Sequence, residues 1–189
     1  MQRRTPSRWE RVRCTASALA PKSARLTAAV ALALIAFVAP AALALEEGDR
    51  APAFSLPALD GQGEVSLDQY KGKVIWLDFW ASWCPPCLTS LPEIDEMRKQ
   101  MPASKFQVVA INIDEQPKKA LRFLSKQPVG YPSASDPDGA LPEVFGLETM
   151  PTSYLIDQKG VIRMVHKGYR AGDIDKIKAE ATRLMRKSR

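Results

Sequence analysis

Seven residues, Val74-Ile75-Trp76-Leu77-Asp78-Phe79-Trp80, run almost directly into Trp83-Cys84-Pro85-Pro86-Cys87, and this junction restricts the fold more than any other stretch. The run is apolar on both alternating faces except at Asp78, the pattern of a central strand covered on both sides. From Cys84 onward the spacing turns helical, with Leu88, Leu91, Ile94, Asp95 and Met97 recurring over about four turns. Pro92 lies inside this helix and is expected to kink it. A buried strand thus hands over to a helix at a cysteine. Unpaired amide N–H groups and the positive end of the helix dipole then point at its sulfur, which favours the thiolate. The second cysteine sits one turn inside, close enough to resolve a mixed disulfide.

The rest of the chain supplies the partners of that strand. Glu46–Pro57 lacks periodicity and carries Pro52 and Pro57, so it is read as a lead-in that wraps the domain. Asp60-Gly61-Gln62-Gly63 is a turn and Val65–Leu67 a short strand. Gln107–Ile113 is a second buried strand, and Lys118–Lys126 a helix with Ala120, Leu121 and Leu124 inward. Thr152–Ile156 and Val161–His166 form an antiparallel hairpin across Asp157-Gln158-Lys159-Gly160. Ile174, Ile177, Ala181, Leu184 and Met185 place one apolar stripe on a C-terminal helix. The predicted class is α/β, a central mixed sheet with helices on both faces.

The formal charge of +6 belongs to the first 44 residues. Arg3, Arg4, Arg8, Arg11, Arg13, Lys22 and Arg25 stand there against Glu10 alone, and residues 45–189 are neutral. The high pI therefore does not mark a nucleic-acid surface, and no nucleic-acid partner is expected. The basic stretch precedes an apolar run, Leu26 to Val38, of signal-peptide length. Pro40 breaks it, and Ala42-Leu43-Ala44 is the small-x-small pattern that signal peptidase cuts. Residues 1–44 are read as a signal peptide or, since apolar character continues to Leu45, an N-terminal membrane anchor. Residues 45–189 form the single domain, which touches a membrane only through an uncleaved leader.

Cys14 falls in the leader, leaving Cys84 and Cys87 to the domain. One cysteine pair is no structural framework, which needs several bridges. It is a site. Tetrahedral zinc wants four ligands, whereas the domain offers two cysteines and His166. Linear two-thiolate Cu(I) binding is chemically allowed, so a copper-handling protein for oxidase assembly is the non-enzymatic alternative. No metal and no external cofactor is expected beyond the redox-active pair.

These residues match a known family. Asp78-Phe79-Trp80-Ala81-x-Trp83-Cys84-x-Pro86-Cys87 closely resembles the active-site stretch of thioredoxins. Met150-Pro151-Thr152, with Tyr154-Leu155-Ile156-Asp157 and Gly160, resembles their segment carrying a cis-proline. Gly48-Asp49-x-Ala51-Pro52-x-Phe54, Leu67, Tyr70-Lys71-Gly72-Lys73, the leader, and an extra segment from about 118 to 148 resemble the TlpA/ResA branch. The resemblance covers residues 46–189. It implies a thioredoxin-like three-layer fold and an exported, periplasmic thiol–disulfide oxidoreductase acting on cysteines of protein partners. By the same resemblance the enzyme is a reductase, for instance of apocytochrome c before haem attachment, and a membrane thiol–disulfide carrier keeps it reduced. A peroxiredoxin-type peroxide reductase wants Thr where this chain has Ala81.

The site residues follow. Cys84 is the attacking thiolate, exposed at the helix start, and Cys87 the resolving thiol behind it. Pro85 and Pro86 remove two amide donors from the first turn. The pKa of Cys84 is then expected to fall only moderately, with a potential nearer thioredoxin (about −270 mV) than DsbA (about −120 mV). Asp78, in an apolar strand, should be raised by burial and positioned to take the Cys87 proton. Many TlpA/ResA relatives carry Asn here, so the thioredoxin version of that step is implied. Pro151 is expected to be cis by resemblance, with Met150 and Thr152 flanking a surface where a substrate peptide pairs as an added strand. Trp83 is expected to shield the sulfur and offer a flat contact, and Trp80 to be plain core. Glu148 is read as a solvated loop acid, and His166 as a surface residue.

Overall fold

A computed structural model describes residues 44–186. The expected leader up to Leu43, with Cys14, lies outside the described residues. Among the described residues no helix is long and apolar enough to cross a membrane.

The strands are β1 (Ser55–Pro57), β2 (Glu64–Ser66), β3 (Val74–Trp80), β4 (Phe106–Asn112), β5 (Ser133–Ser135), β6 (Thr152–Ile156) and β7 (Ile162–Lys167). The helices are α1 (Pro85–Lys99), α2 (Pro117–Lys126), α3 (Ala140–Phe145) and α4 (Asp173–Arg186), with a 3-10 turn at Leu67–Tyr70. Five strands form one sheet in the order β5-β4-β3-β6-β7. β3 runs parallel to β4, with Val74 opposite Phe106, and antiparallel to β6, with Phe79 opposite Thr152. All seven β3 residues are buried. Chains that cross from β3 to a parallel neighbour need a helix, and α1 fills that connection.

Two apolar layers sandwich the sheet. Trp76 and Trp80 of β3 point into a cluster with Cys87, Leu91, Ile94 and Met97 of α1 and Ile177 and Ala181 of α4. Ile75, Leu77 and Phe79 point the other way, onto Leu67, Leu141 and Phe145. The side-chain period of 2 in a strand sorts one sequence onto both faces. The lead-in crosses the second face as a strap. Arg50 bridges Val161 at one edge of the sheet, and Ala58 bridges Ala134 at the other.

Some expectations shift. Leu67 opens the 3-10 turn instead of ending a strand, and the last strand begins at Ile162. Leu121 is 38% exposed, not inward. Ala120, Phe123 and Leu124 make the apolar stripe at spacings of three and four, and Leu121 lies about 100° round the helix from Ala120. The helix continues through Pro92 to Lys99. β1, β5 and α3 were not predicted, since three to six residues are too short to show a period.

Asp95 stands among the apolar positions of α1 for a reason. It accepts the Gly130 amide at 3.0 Å, Arg98 Nε at 2.9 Å and Lys99 Nζ at 3.1 Å. Burial pushes its carboxyl up, but those donors more than offset it and hold it below the usual range. A depressed carboxyl contributes stability above its unfolded pKa that is lost as pH falls through the folded value. Asp95→Ala is expected to lower the unfolding free energy by about 2 kcal/mol at neutral pH. In urea denaturation that loss should shrink below about pH 4.

Candidate active site

β3 delivers its C-terminal end to the start of α1, and the antiparallel β6 begins at the same end. The pairing of Phe79 with Thr152 therefore places Pro151 beside the loop that leads to the cysteines. The Met150–Pro151 peptide bond is cis.

Cys84 is the N-cap of α1, with Pro85 and Pro86 filling the first turn. The first amide left to face its sulfur is that of Cys87, which donates to Cys84 Sγ at 3.3 Å. The two cysteines are disulfide-bonded, their Cα atoms 5.3 Å apart. Cys84 is only 3% exposed and Cys87 fully buried, so the expectation of an exposed Cys84 is corrected. The S–S bond turns the Cys84 side chain onto Cys87, inside the cluster that holds Trp80, Ala81 and Leu91. Trp83 presents the open surface here, at 60% exposure. Trp80 is core, its indole donating to Ser133 Oγ at 3.1 Å.

The loop before Cys84 is clamped from β4. Asp114 accepts the Ser82 amide at 2.8 Å, Ser82 Oγ at 2.7 Å and Asn112 Nδ2 at 2.8 Å. Asp114 and Asn112 are buried. The sequence carried a faint signal for this, two polar side chains closing an apolar strand at the end that meets the cysteines.

Asp78 lies on the α1 side of the sheet, between Trp76 and Trp80 in the strand, and is 1% exposed. Ser153, its register partner on β6, donates to Oδ1 at 2.5 Å, and Oδ2 has no hydrogen-bond partner. Burial pushes the carboxyl up to about 7, with the Ser153 bond pulling the other way. No pattern in the sequence reveals Ser153. It is one serine in Thr-Ser-Tyr-Leu-Ile, and only the register puts it opposite the acid.

The remaining candidates are placed as follows. Met150 packs partly buried between the two cores. Thr152 is buried, its hydroxyl donating to the Thr149 carbonyl at 2.7 Å. The Gly168 amide donates to the Pro151 carbonyl at 2.8 Å, tying the loop after β7 to the turn before β6, and Tyr169 bonds Glu93 of α1. Glu148 pairs with Lys167 at 2.8 Å, and that bond lowers its carboxyl. His166 is half-buried rather than on the surface, because Nε2 points inward to 3.2 Å from Asp173 Oδ2 and the ring lies 6.3 Å from Trp76. Among the described residues no group of three or more His, Cys, Asp and Glu is placed to hold a metal ion.

A disulfide at the start of a helix, next in sequence to the exposed Trp83, can exchange with a partner's thiols, passing two electrons without another cofactor. The comparisons agree. A family model described as Redoxin matches residues 46–182. The chain is 35% identical over 127 residues to the thioredoxin-like protein YneN of Bacillus subtilis, covering 66% of this chain and 73% of that protein. It is 31% identical over 124 residues to the thiol-disulfide oxidoreductase ResA of Bacillus thuringiensis subsp. konkukian, covering 66% and 71%. A crystal structure from Chlorobium tepidum, described as a thiol:disulfide interchange protein DsbE, superposes with a TM-score of 0.72 at 39% identity, covering 75% of this chain and 99% of that one.

Two outcomes are expected. A raised carboxyl binds more protons folded than unfolded, so its contribution to stability declines as pH rises from the unfolded pKa to the folded one. Relative to Asp78→Asn, the wild type should lose on the order of 4 kcal/mol between about pH 4 and pH 7, and nothing more above that. Urea titrations across that range read it directly. Asp114→Ala should cost about 3 kcal/mol by stranding buried donors, and Asp114→Asn less, as judged by thermal unfolding of the oxidised protein.

Proposed function

The chain belongs to the Redoxin family and is a thiol–disulfide oxidoreductase, and on that premise we propose that it reduces disulfides of exported proteins through Cys84 and Cys87. The observation that carries this reading is the disulfide-bonded cysteine pair at the start of α1, directly after the strand that buries Asp78. In the reduced enzyme the Cys84 thiolate attacks one sulfur of the partner's disulfide. A mixed disulfide forms and the partner's other sulfur leaves as a thiolate, which takes a proton from water. Asp78, as carboxylate, takes the Cys87 proton. Cys87 then attacks Cys84 Sγ, closing the Cys84–Cys87 bond and releasing the partner's second thiol. The partner gains two electrons and the enzyme loses them.

Trp83 forms the flat contact surface, and the backbone around Met150 and Pro151 receives the partner's peptide as an added strand. Thr152 flanks that surface, with its hydroxyl spent on Thr149 and its backbone in register with β3 and β7. Location outside the cytoplasm rests on the leader pattern of residues 1–44, cleaved or retained as an anchor. The TlpA/ResA resemblance supports apocytochrome c as the class of substrate and a membrane dithiol carrier as the electron donor. With only Pro residues in the first helical turn ahead of the Cys87 amide, the potential should lie near the thioredoxin end of the scale.

Trapping tests the reading. Cys87→Ala should hold a mixed disulfide on Cys84 that mass spectrometry identifies, whereas Cys84→Ser should reduce insulin no faster than background. Asp78→Asn should slow release of the mixed disulfide by about 100-fold in single-turnover experiments. Stoichiometric Cu(I) binding with negligible reductase activity would overturn the assignment.

A further inference from the structure

Asp78 differs from the other buried acids in what it is bonded to. Asp95, Asp157 and Asp173 each have backbone amides and a Lys or Arg in reach, and each is held below the usual carboxylate range against the pull of burial. Asp78 has one partner, and that partner is neutral. A hydroxyl carries both a donor and acceptor lone pairs, so it can donate to an ionised Oδ1 and turn to accept from a protonated one. A cation in the same place would pin the acid ionised, and an apolar side chain would leave both oxygens bare.

We propose that Ser153 is a positioning residue for the redox chemistry: its hydroxyl holds Asp78 Oδ1, leaves Oδ2 free to exchange a proton, and sets the pH range over which Asp78 changes charge. The placement is fixed by the sheet. Ser153 and Leu155 of β6 face α1, while Tyr154 and Ile156 face α3. Position 153 lies directly across from Asp78, where β-carbons of paired strands are about 5 Å apart. Both side chains are at least 97% buried, so no bulk water substitutes for the bond. The inference rests on the reading of Asp78 as proton acceptor for Cys87, and it adds the group that tunes that acceptor.

Other groups face this site. α1 packs on this face of the sheet through Cys87, Leu91 and Ile94 and carries Asp95, and β4 contributes the apolar Val108 and Ala110. Tyr131, ahead of β5, has a phenol raised by burial and then by the Asp78 charge. On β7, His166 lies in register with Ser153 and carries Asp173 of α4 at its far side. His166 is an ionisable side chain in the same register, so its contribution must be separated from that of Asp78.

The test is an infrared titration of the Asp78 carboxyl in the oxidised full chain, the band being assigned by its loss in Asp78→Asn. Ser153→Thr and Ser153→Val differ only by a hydroxyl against a methyl. The Val variant, and Ser153→Ala beside it, should move the titration upward by about one pH unit, and the Thr variant should stay near wild type. The pH profile of mixed-disulfide release should move in parallel. An unmoved titration in Ser153→Val and Ser153→Ala, or a downward shift, would overturn the proposal. So would a shift of the same size in His166→Gln. If Asp78 is not the proton acceptor, Asp78→Asn leaves release unchanged while the infrared titration still reads what Ser153 does.

Discussion

Everything at this site depends on β3 being dry along its whole length. Its seven residues lie between β4 and β6 and are covered above and below by apolar layers. Burial on both faces gives the strand one register and one direction, and so one place for its C-terminal end to emerge. The helix that begins there takes its first turn from two prolines and its cap from Cys84. The same burial makes Asp78 costly to ionise, because a carboxylate loses water that a single hydroxyl only partly replaces. Rigidity and reactivity therefore share one cause.

The acids of this domain divide by their partners. Asp157 organises the β6–β7 turn, accepting the Lys159 and Val161 amides at 2.9 and 3.0 Å and Arg163 Nε at 2.7 Å. Asp136 accepts the amides of Ala140 and Leu141 at the start of α3. Asp114 gathers the loop before the cysteines. These carboxylates act as structural acceptors, with several donors each. Asp78 has a single hydroxyl and a carboxyl raised toward neutrality, the arrangement expected of a group that exchanges a proton. Reading partners as well as burial separates the poised acid from the fixed ones.

The elements around the cysteine pair are remote in sequence. Trp83 comes from the loop before α1 and Pro151 from the turn before β6. The Gly168–Pro151 backbone bond ties the loop after β7 to that turn, and the Tyr169–Glu93 side-chain bond ties it to α1. In this oxidised state both cysteines are buried.

The sequence alone determined the central strand to the residue, the helix start at Cys84, the hairpin of β6 and β7, and the cysteine pair, because strong periodicity and a rare motif are local properties. It did not reveal β1, β5 or α3, whose lengths are below any period, nor that Leu121 faces outward and Cys84 inward. Ser153 and the Asp114 clamp were decided by tertiary structure. A serine in one strand meets an acid in another only when register is fixed, and register is a property of the packed sheet. Sequence carries the cysteine pair and the acid in the strand, while the burial of Asp78 and its one hydroxyl partner arise only once the layers close.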